Sequence, residues 1–214
     1  MPAPRDVVFT FATDSWADAV TRGHFMPADQ LVLALGRSPL VRRLLVTDGW
    51  RSGPMRALRR LQGRSRPPLP SRVLDQHHLT PLRLRRHDPV APAPLRRAYV
   101  RYDAQMARAA ARLDLRQPAV ITGNPFVAAY SPLAWAGPVT LYLWDNWAAY
   151  PPARPWWPAY EAAYREVAAS GRRVVAVSDA LIERVRPAGP SAIVPNGITV
   201  DQWEPPWAVP QWFA

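Results

Sequence analysis

The most constraining feature of the sequence is a regular alternation of short apolar runs with amphipathic stretches, clearest from Arg172 to Pro205. There, the β-branched run Val174 to Val177 is typical of a buried strand. Ser178 and Asp179 follow at once, and a serine N-cap with an acidic first turn predicts a helix. A second short strand is predicted before the turn tripeptide Pro195-Asn196-Gly197. The segment therefore has the size and pattern of one parallel crossover unit.

The same alternation runs through most of the chain and predicts an α/β fold, a single doubly wound Rossmann-like domain with a mostly parallel sheet. The main predicted strands are 7–11, 44–47, 119–122, 139–143, 174–177 and 192–194, with short ones near 72–74 and 82–84. The predicted helices are 27–35, 95–113, 126–136 and 158–170, and residues 13–24 are predicted as a loop. We expect residues 1–200 to form this domain, with an irregular Pro/Arg-rich region at 49–93 and a Trp/Pro-rich tail or linker start at 201–214.

The charge balance predicts contact with something anionic. Net charge is +11, and lysine is absent, so all 27 basic residues are arginines. Residues 54–63 could form a basic amphipathic helix suited to an anionic membrane surface. Nucleic acid is disfavoured as a partner, because no sheet with interleaved aromatic and basic residues and no recognition-helix motif is present.

Neither cysteine chemistry nor membrane spanning is predicted. The chain has no cysteine, and its four histidines follow no zinc-ligand spacing, so we expect no bound metal. The apolar run at 7–12 is too short for a signal peptide, and no apolar stretch approaches the ~20 residues that a bilayer requires. We expect a cytoplasmic protein, with peripheral attachment to the inner face of the plasma membrane as an option.

Several polar residues follow predicted strands, where ligands of open α/β sheets gather. Trp16, Arg22 and His24 lie after the first strand; arginine can grip phosphate or carboxylate, and histidine can move a proton near neutral pH. Asn124 follows the strand at 119–122, and Asp145-Asn146 follow the strand at 139–143. Each of these side chains could equally be a cap, a turn residue or a solvated charge.

The pattern V-x-V-S-D-A-L followed by V-P-N-G-I resembles glycosyltransferase family 4. The spacing W-x5-R-x-H from Trp16 to His24 and the W-D-N-W run from Trp144 to Trp147 are similar to a cell-surface-polysaccharide branch of that family, of the kind used in teichuronic acid synthesis. Three departures stand out: Trp203 replaces the usual Phe, Thr199 replaces a common acidic residue, and no glycine-rich loop follows the first strand.

The resemblance implies the N-terminal, acceptor-side half of a GT-B fold and a retaining sugar transfer to a cell-envelope or lipid-linked glycan. By resemblance, Asp145 and His24 are the candidate catalytic residues. The implied substrate-binding residues are Arg22, Trp16, Asn146, Asn124, Ser178, Asn196 and Gly197.

The resemblance also places the nucleotide-sugar donor (a UDP- or GDP-sugar) outside this chain. It implies a donor-binding domain with paired glutamates, and we expect that domain to be supplied separately or lost, so that the chain is truncated and inactive alone. The aromatic tail could then be where a separate donor-binding half docks. Two alternatives stay open: a non-catalytic relic or regulatory binder with the same fold, and a basic module for membrane surfaces or nucleic acid.

Overall fold

The computed structural model describes residues 3–24, 26–54, 57, 69 and 75–197. Its strands are β1 (Arg5–Thr10), β2 (Val41–Thr47), β3 (Arg51–Ser52), β4 (Gln76–Leu79), β5 (Leu82–Arg83), β6 (Ala119–Thr122), β7 (Val139–Leu143), β8 (Arg173–Ala176) and β9 (Ser191–Ile193). Its helices are α1 (Trp16–Thr21), α2 (Pro27–Arg37), α3 (Pro92–Arg112), α4 (Pro125–Tyr130), α5 (Trp157–Ala169) and α6 (Asp179–Val185), and a 3-10 helix (Pro151–Trp156) precedes α5.

Seven of the strands form one sheet in the order β4-β2-β1-β6-β7-β8-β9, and β3 pairs with β5 separately. Every strand pair is parallel. The predicted doubly wound, mostly parallel α/β domain is therefore confirmed.

The two faces of the sheet bury separate apolar clusters, which explains why its central strands read as continuous apolar runs. In β1, Val8 packs into the cluster beneath α3, α4 and α5, whereas its neighbours Val7 and Phe9 pack with α1 and α2. In β2, Leu45 packs into the cluster that contains Val8, and Leu44 packs into the cluster that contains Val7 and Phe9. Successive side chains of a strand point to opposite faces, so helices must cover both sides.

Two sequence predictions were wrong in detail. The predicted loop at 13–24 contains helix α1, which begins at a capping box: the Ser15 hydroxyl accepts from the Asp18 N–H, and the Asp18 carboxylate accepts from the Ser15 N–H. The predicted helix at 126–136 ends at Tyr130. Pro132 lacks an N–H and disfavours helical geometry at Ser131, which adopts an extended conformation with ψ 127°.

The ends of α2, α3 and α5 lie within about one turn of the predicted ends, so these three helix predictions are confirmed. Strand β4, which carries His77 and His78, was not predicted. The predicted strand at 72–74, most of the basic helix at 54–63 and the tail at 201–214 lie outside the described residues.

The topology places a crevice between β1 and β6. From β1 the chain adds β2 and then β4 on one side of the sheet, and from β6 it adds β7, β8 and β9 on the other side. The connections that leave β1 and β6 therefore run in opposite directions. The hydroxyls of Thr10 and Thr122, the last residues of the two strands, are hydrogen-bonded at 2.6 Å. Such a switch point, beyond the carboxyl ends of the strands, is where open α/β sheets bind ligands.

Candidate functional site

An open cleft of about 1370 Å³ lies at this carboxyl edge of the sheet. Its walls come from segments that follow β1, β2, β4, β5, β6 and β7, so distant parts of the chain meet there. The lining side chains divide into a buried polar group, an aromatic wall and a charged rim.

The buried polar group is centred on Asp48, which directly follows β2 and is 3% exposed. Its carboxylate accepts hydrogen bonds from the Trp16 backbone N–H at 2.9 Å, from His78 Nε2 at 2.6 Å and from the Thr80 hydroxyl at 2.5 Å. Burial raises the pKa of Asp48, but the hydrogen bond and electrostatic interaction with His78, together with the hydrogen bonds from Thr80 and the Trp16 backbone, outweigh burial and hold the pKa below its ordinary value. The carboxylate is therefore ionised at neutral pH.

His78 is fixed by this carboxylate and lines the cleft. Since Nε2 donates to Asp48, the neutral ring carries its lone pair on Nδ1. This nitrogen is buried, and no hydrogen-bond partner for it exists among the described residues. The pair therefore fixes the histidine ring in a defined tautomer at the side of the cleft.

The aromatic wall consists of Trp50, Trp147, Tyr150, Trp156 and Tyr160. The indole nitrogens of Trp50 and Trp147 are buried, and within the described ranges nothing accepts a hydrogen bond from them. An apolar wall with a few polar groups is the usual composition of a small-molecule site.

The rim of the cleft is charged, and most of its charges are paired. Arg51 pairs with Asp18 and also donates to the Thr13 carbonyl at 3.1 Å. On the neighbouring strand β5, Arg83 pairs with Asp88. These contacts fix the rim side chains in place.

Three of the predicted site residues meet, but not in the cleft. Trp16 is 1% exposed and stacks on His24 with ring centroids 4.8 Å apart. Arg22 is held by Asp29 and, at 3.0 Å, by Asp14. The hydrogen bonds that Arg22 donates to Asp29 raise the pKa of Arg22, and burial lowers the pKa of His24. The three side chains are thus engaged by one another and by Asp14 and Asp29, within helix α1 and the segment that joins it to α2.

Asn124 lies at the switch point itself and is 4% exposed. Its side-chain oxygen accepts from the Phe126 N–H at 2.9 Å and so caps α4, while its amide nitrogen donates to the Ala12 carbonyl at 2.8 Å. It also donates to the Tyr99 hydroxyl, which lines the cleft, at 3.2 Å. The residue ties the ends of β1 and β6 together.

The other predicted residues lie along the same edge of the sheet but outside the cleft lining. Asp145 is exposed after β7 and accepts from the Asn146 N–H at 2.7 Å; the Asn146 side chain accepts from the Ala148 N–H at 3.2 Å. Ser178 precedes α6 at the end of β8, and its side chain makes no capping hydrogen bond. Asn196 and Gly197 are exposed after β9.

Sequence reasoning missed Asp48 and His78. Asp48 immediately follows a predicted strand, so the rule about carboxyl ends could have found it. His78 carries no comparable signal, because β4 does not stand out in the sequence and the histidine reaches the site only through the pairing of Val46 with His78. The aromatic residues of the wall are scattered from position 50 to position 160.

Fold and cleft together define a Rossmann-like α/β domain with an open cleft at its switch point. The sequence comparison narrows this class: residues 63–202 match Glycosyltransferase Family 4. The match covers more than half of the 214 residues, and the chain belongs to this family, as a glycosyltransferase-type acceptor-binding domain. No curated protein and no solved structure matches the chain significantly.

The described residues contain neither a membrane-spanning helix nor a cluster of metal-ligating side chains. None of their helices combines the length and apolar character needed to cross a bilayer. The same part of the chain contains no group of three or more His, Cys, Asp or Glu side chains arranged to hold a metal ion.

Proposed function

We propose that this chain is the acceptor-binding half of a retaining glycosyltransferase that moves a sugar from a nucleotide-sugar donor to a cell-envelope or lipid-linked glycan. The observation that carries the proposal is the cleft at the switch point, which combines an aromatic wall with the Asp48–His78 pair in a member of family 4. Aromatic faces suit the apolar sides of sugar rings, and the charged rim around them suits sugar hydroxyls.

Within this proposal the cleft residues orient the acceptor. The charged side chains of the rim hydrogen-bond the acceptor hydroxyls, and the aromatic wall packs against the sugar ring; the buried Asp48–His78 pair holds β2 and β4 in place beside them. A UDP- or GDP-sugar would be held by a donor-binding unit, which would also stabilise the departing diphosphate. Asp145, exposed after β7 on the same edge, remains the proposed catalytic carboxylate, and His24, which stacks on Trp16 after β1, remains the second proposed catalytic residue. The teichuronic-acid type of polysaccharide is the proposed acceptor class.

The test is an NMR titration that follows the indole N–H resonances of the tryptophans. Envelope glycans and their oligosaccharide fragments are added to the ¹⁵N-labelled chain, and UDP- and GDP-sugars are added in separate experiments. We expect an acceptor to shift Trp50, Trp147 and Trp156, which line the cleft. Trp135 is the internal control, because its indole donates to Asp103 at 2.9 Å and does not line the cleft.

A substitution in the cleft provides a second test that the acceptor binds there. Tyr150→Ala removes a wall residue that is 38% exposed, so it should weaken acceptor binding about tenfold with little loss of stability. Leu40→Ala, 42% exposed at the amino end of β2, should leave binding unchanged. Shifts caused by the nucleotide sugars instead of the glycans would show that this is not the acceptor side.

A further inference from the structure

The segment of residues 82–90 at the rim of the cleft exposes apolar side chains in an unusual concentration; we call it the rim loop. Leu82 is 39% exposed, Val90 is 54% exposed, and Leu84 is 85% exposed. Leu84 is the most exposed of the large apolar side chains in the described part of the protein. A single exposed leucine is ordinary, but three exposed apolar side chains within nine positions concentrate apolar area on one short segment.

The exposure of Leu84 is imposed by the conformation of the loop. The Arg83 guanidinium donates to the carbonyl oxygens of Arg85 and Arg86, both at 3.0 Å, and pairs with the Asp88 carboxylate. The loop is thus folded around Arg83, which leaves the next side chain projecting outward.

Both ends of the rim loop are attached to the body of the domain. Gln105 of α3 receives a hydrogen bond from the Leu82 N–H and donates one to the Leu82 carbonyl, each at 3.0 Å. At the other end, the Tyr99 hydroxyl donates to the Asp88 carboxylate at 3.0 Å. The apolar surface is therefore presented by an ordered scaffold.

The apolar side chains are interleaved with exposed positive charge. Arg85, Arg86 and His87 are all exposed, and no side-chain hydrogen bond or ion pair engages them within the described residues. This local excess lies in a chain with a net charge of +11. An apolar tip flanked by free guanidinium groups matches the boundary between lipid headgroups and acyl chains, where arginine binds phosphate and leucine enters the apolar layer.

We propose that the rim loop is a membrane-docking surface, in which Leu84 enters an anionic bilayer while Arg85 and Arg86 bind lipid phosphates. Arg83, Arg86, His87 and Asp88 line the cleft, so docking by this loop turns the mouth of the cleft toward the membrane. The membrane contact stands independently of the proposed function. Only its use, delivery of a lipid-linked acceptor into the cleft, rests on that function.

The test is vesicle flotation of the full chain with phosphatidylcholine alone and with phosphatidylglycerol added. We expect binding only when phosphatidylglycerol is present, and weaker binding as salt rises. Neutralising each arginine should weaken partitioning about fivefold, so Arg85→Gln/Arg86→Gln should weaken it about 25-fold. Leu84→Gln should weaken it about tenfold, through lost burial of the side chain.

Matched controls come from the opposite edge of the sheet. Leu40→Gln replaces a leucine that is 42% exposed, and Arg112→Gln/Arg116→Gln neutralises two exposed arginines near the end of α3. Both controls should bind vesicles within about twofold of the unmodified chain. Equal loss in rim and control variants would overturn the proposal, as would absence of vesicle binding or binding of RNA in preference to vesicles. Failure of the glycan titration with vesicle binding intact would reject the acceptor assignment alone.

Discussion

Replacing Arg22 with methionine tests whether this arginine stabilises the fold or is available to a ligand. Its guanidinium donates to both carboxylate oxygens of Asp29, from Nε at 2.8 Å and from Nη2 at 2.6 Å. The Asp29 side chain is 0% exposed, so the substitution leaves a buried charge without its counter-ion. Removing one partner of a buried pair costs roughly 3–5 kcal/mol, and we expect the lower end, because the Arg22 side chain is 20% exposed.

A loss of about 3 kcal/mol corresponds to a fall in Tm of about 6–12 °C for a protein of this size. Urea denaturation followed by circular dichroism measures the free energy of unfolding directly. The double variant Arg22→Met/Asp29→Asn should lose only about 1 kcal/mol, because no charge is stranded and the asparagine oxygen can still accept from the Met26 N–H.

The control for these Arg22 variants is Arg116→Met. The Arg116 side chain is 78% exposed and pairs with Asp114 at 3.6 Å. An exposed pair of this kind should contribute less than about 0.5 kcal/mol. If Arg22→Met cost no more than Arg116→Met, the reasoning would be refuted, and Arg22 would be free to bind the phosphate or carboxylate predicted from the sequence.

Two other predictions concern His24 and Asn124. Burial lowers the pKa of His24, so the unfolded chain binds a proton that the folded chain does not, and stability should fall as pH drops through about 6.5. Thermal melts at several pH values should show that Tm falls less with decreasing pH in His24→Gln than in the unmodified chain. In the exposed control His87→Gln, Tm should fall by as much as in the unmodified chain. Asn124→Ala removes a helix cap and the donor to Tyr99, and urea melts should show a loss of about 2–3 kcal/mol. Ser178→Ala, which removes no capping hydrogen bond, should lose less than about 0.5 kcal/mol; equal losses would contradict this account.

Local signals in the sequence were sufficient for most of the elements. The apolar runs of β1 and β7 and the periodicity of α3 are properties of neighbouring residues, and each was predicted close to its position in the structure. The capping box of Ser15 and Asp18 is also a local sequence signal, although the helix that it begins, α1, was not predicted. The short strand β4 was missed because its four residues carry no clear period.

The candidate site was less predictable, because neighbouring positions in the sequence have different fates in space. Arg22 and His24 follow the right strand, yet they pack with Asp29 and Trp16 instead of lining the cleft. His78, in contrast, belongs to the cleft through its hydrogen bond to Asp48, which lies 30 positions away. Spacing along the chain indicates which edge of the sheet a residue reaches but not which way its side chain turns.

The sequence by itself determined the alternation of strands and helices, the parallel α/β class and the polar character of the strand ends, because these depend on propensity and periodicity over a few residues. Only the tertiary structure decided that β1 lies between β2 and β6, that Asp48 meets His78, and that aromatic residues from position 50 to position 160 share one wall. Strand order and register are set by long-range pairing and by burial of both faces of the sheet. These interactions join segments that are distant in sequence, so they cannot be predicted from any short stretch of the chain.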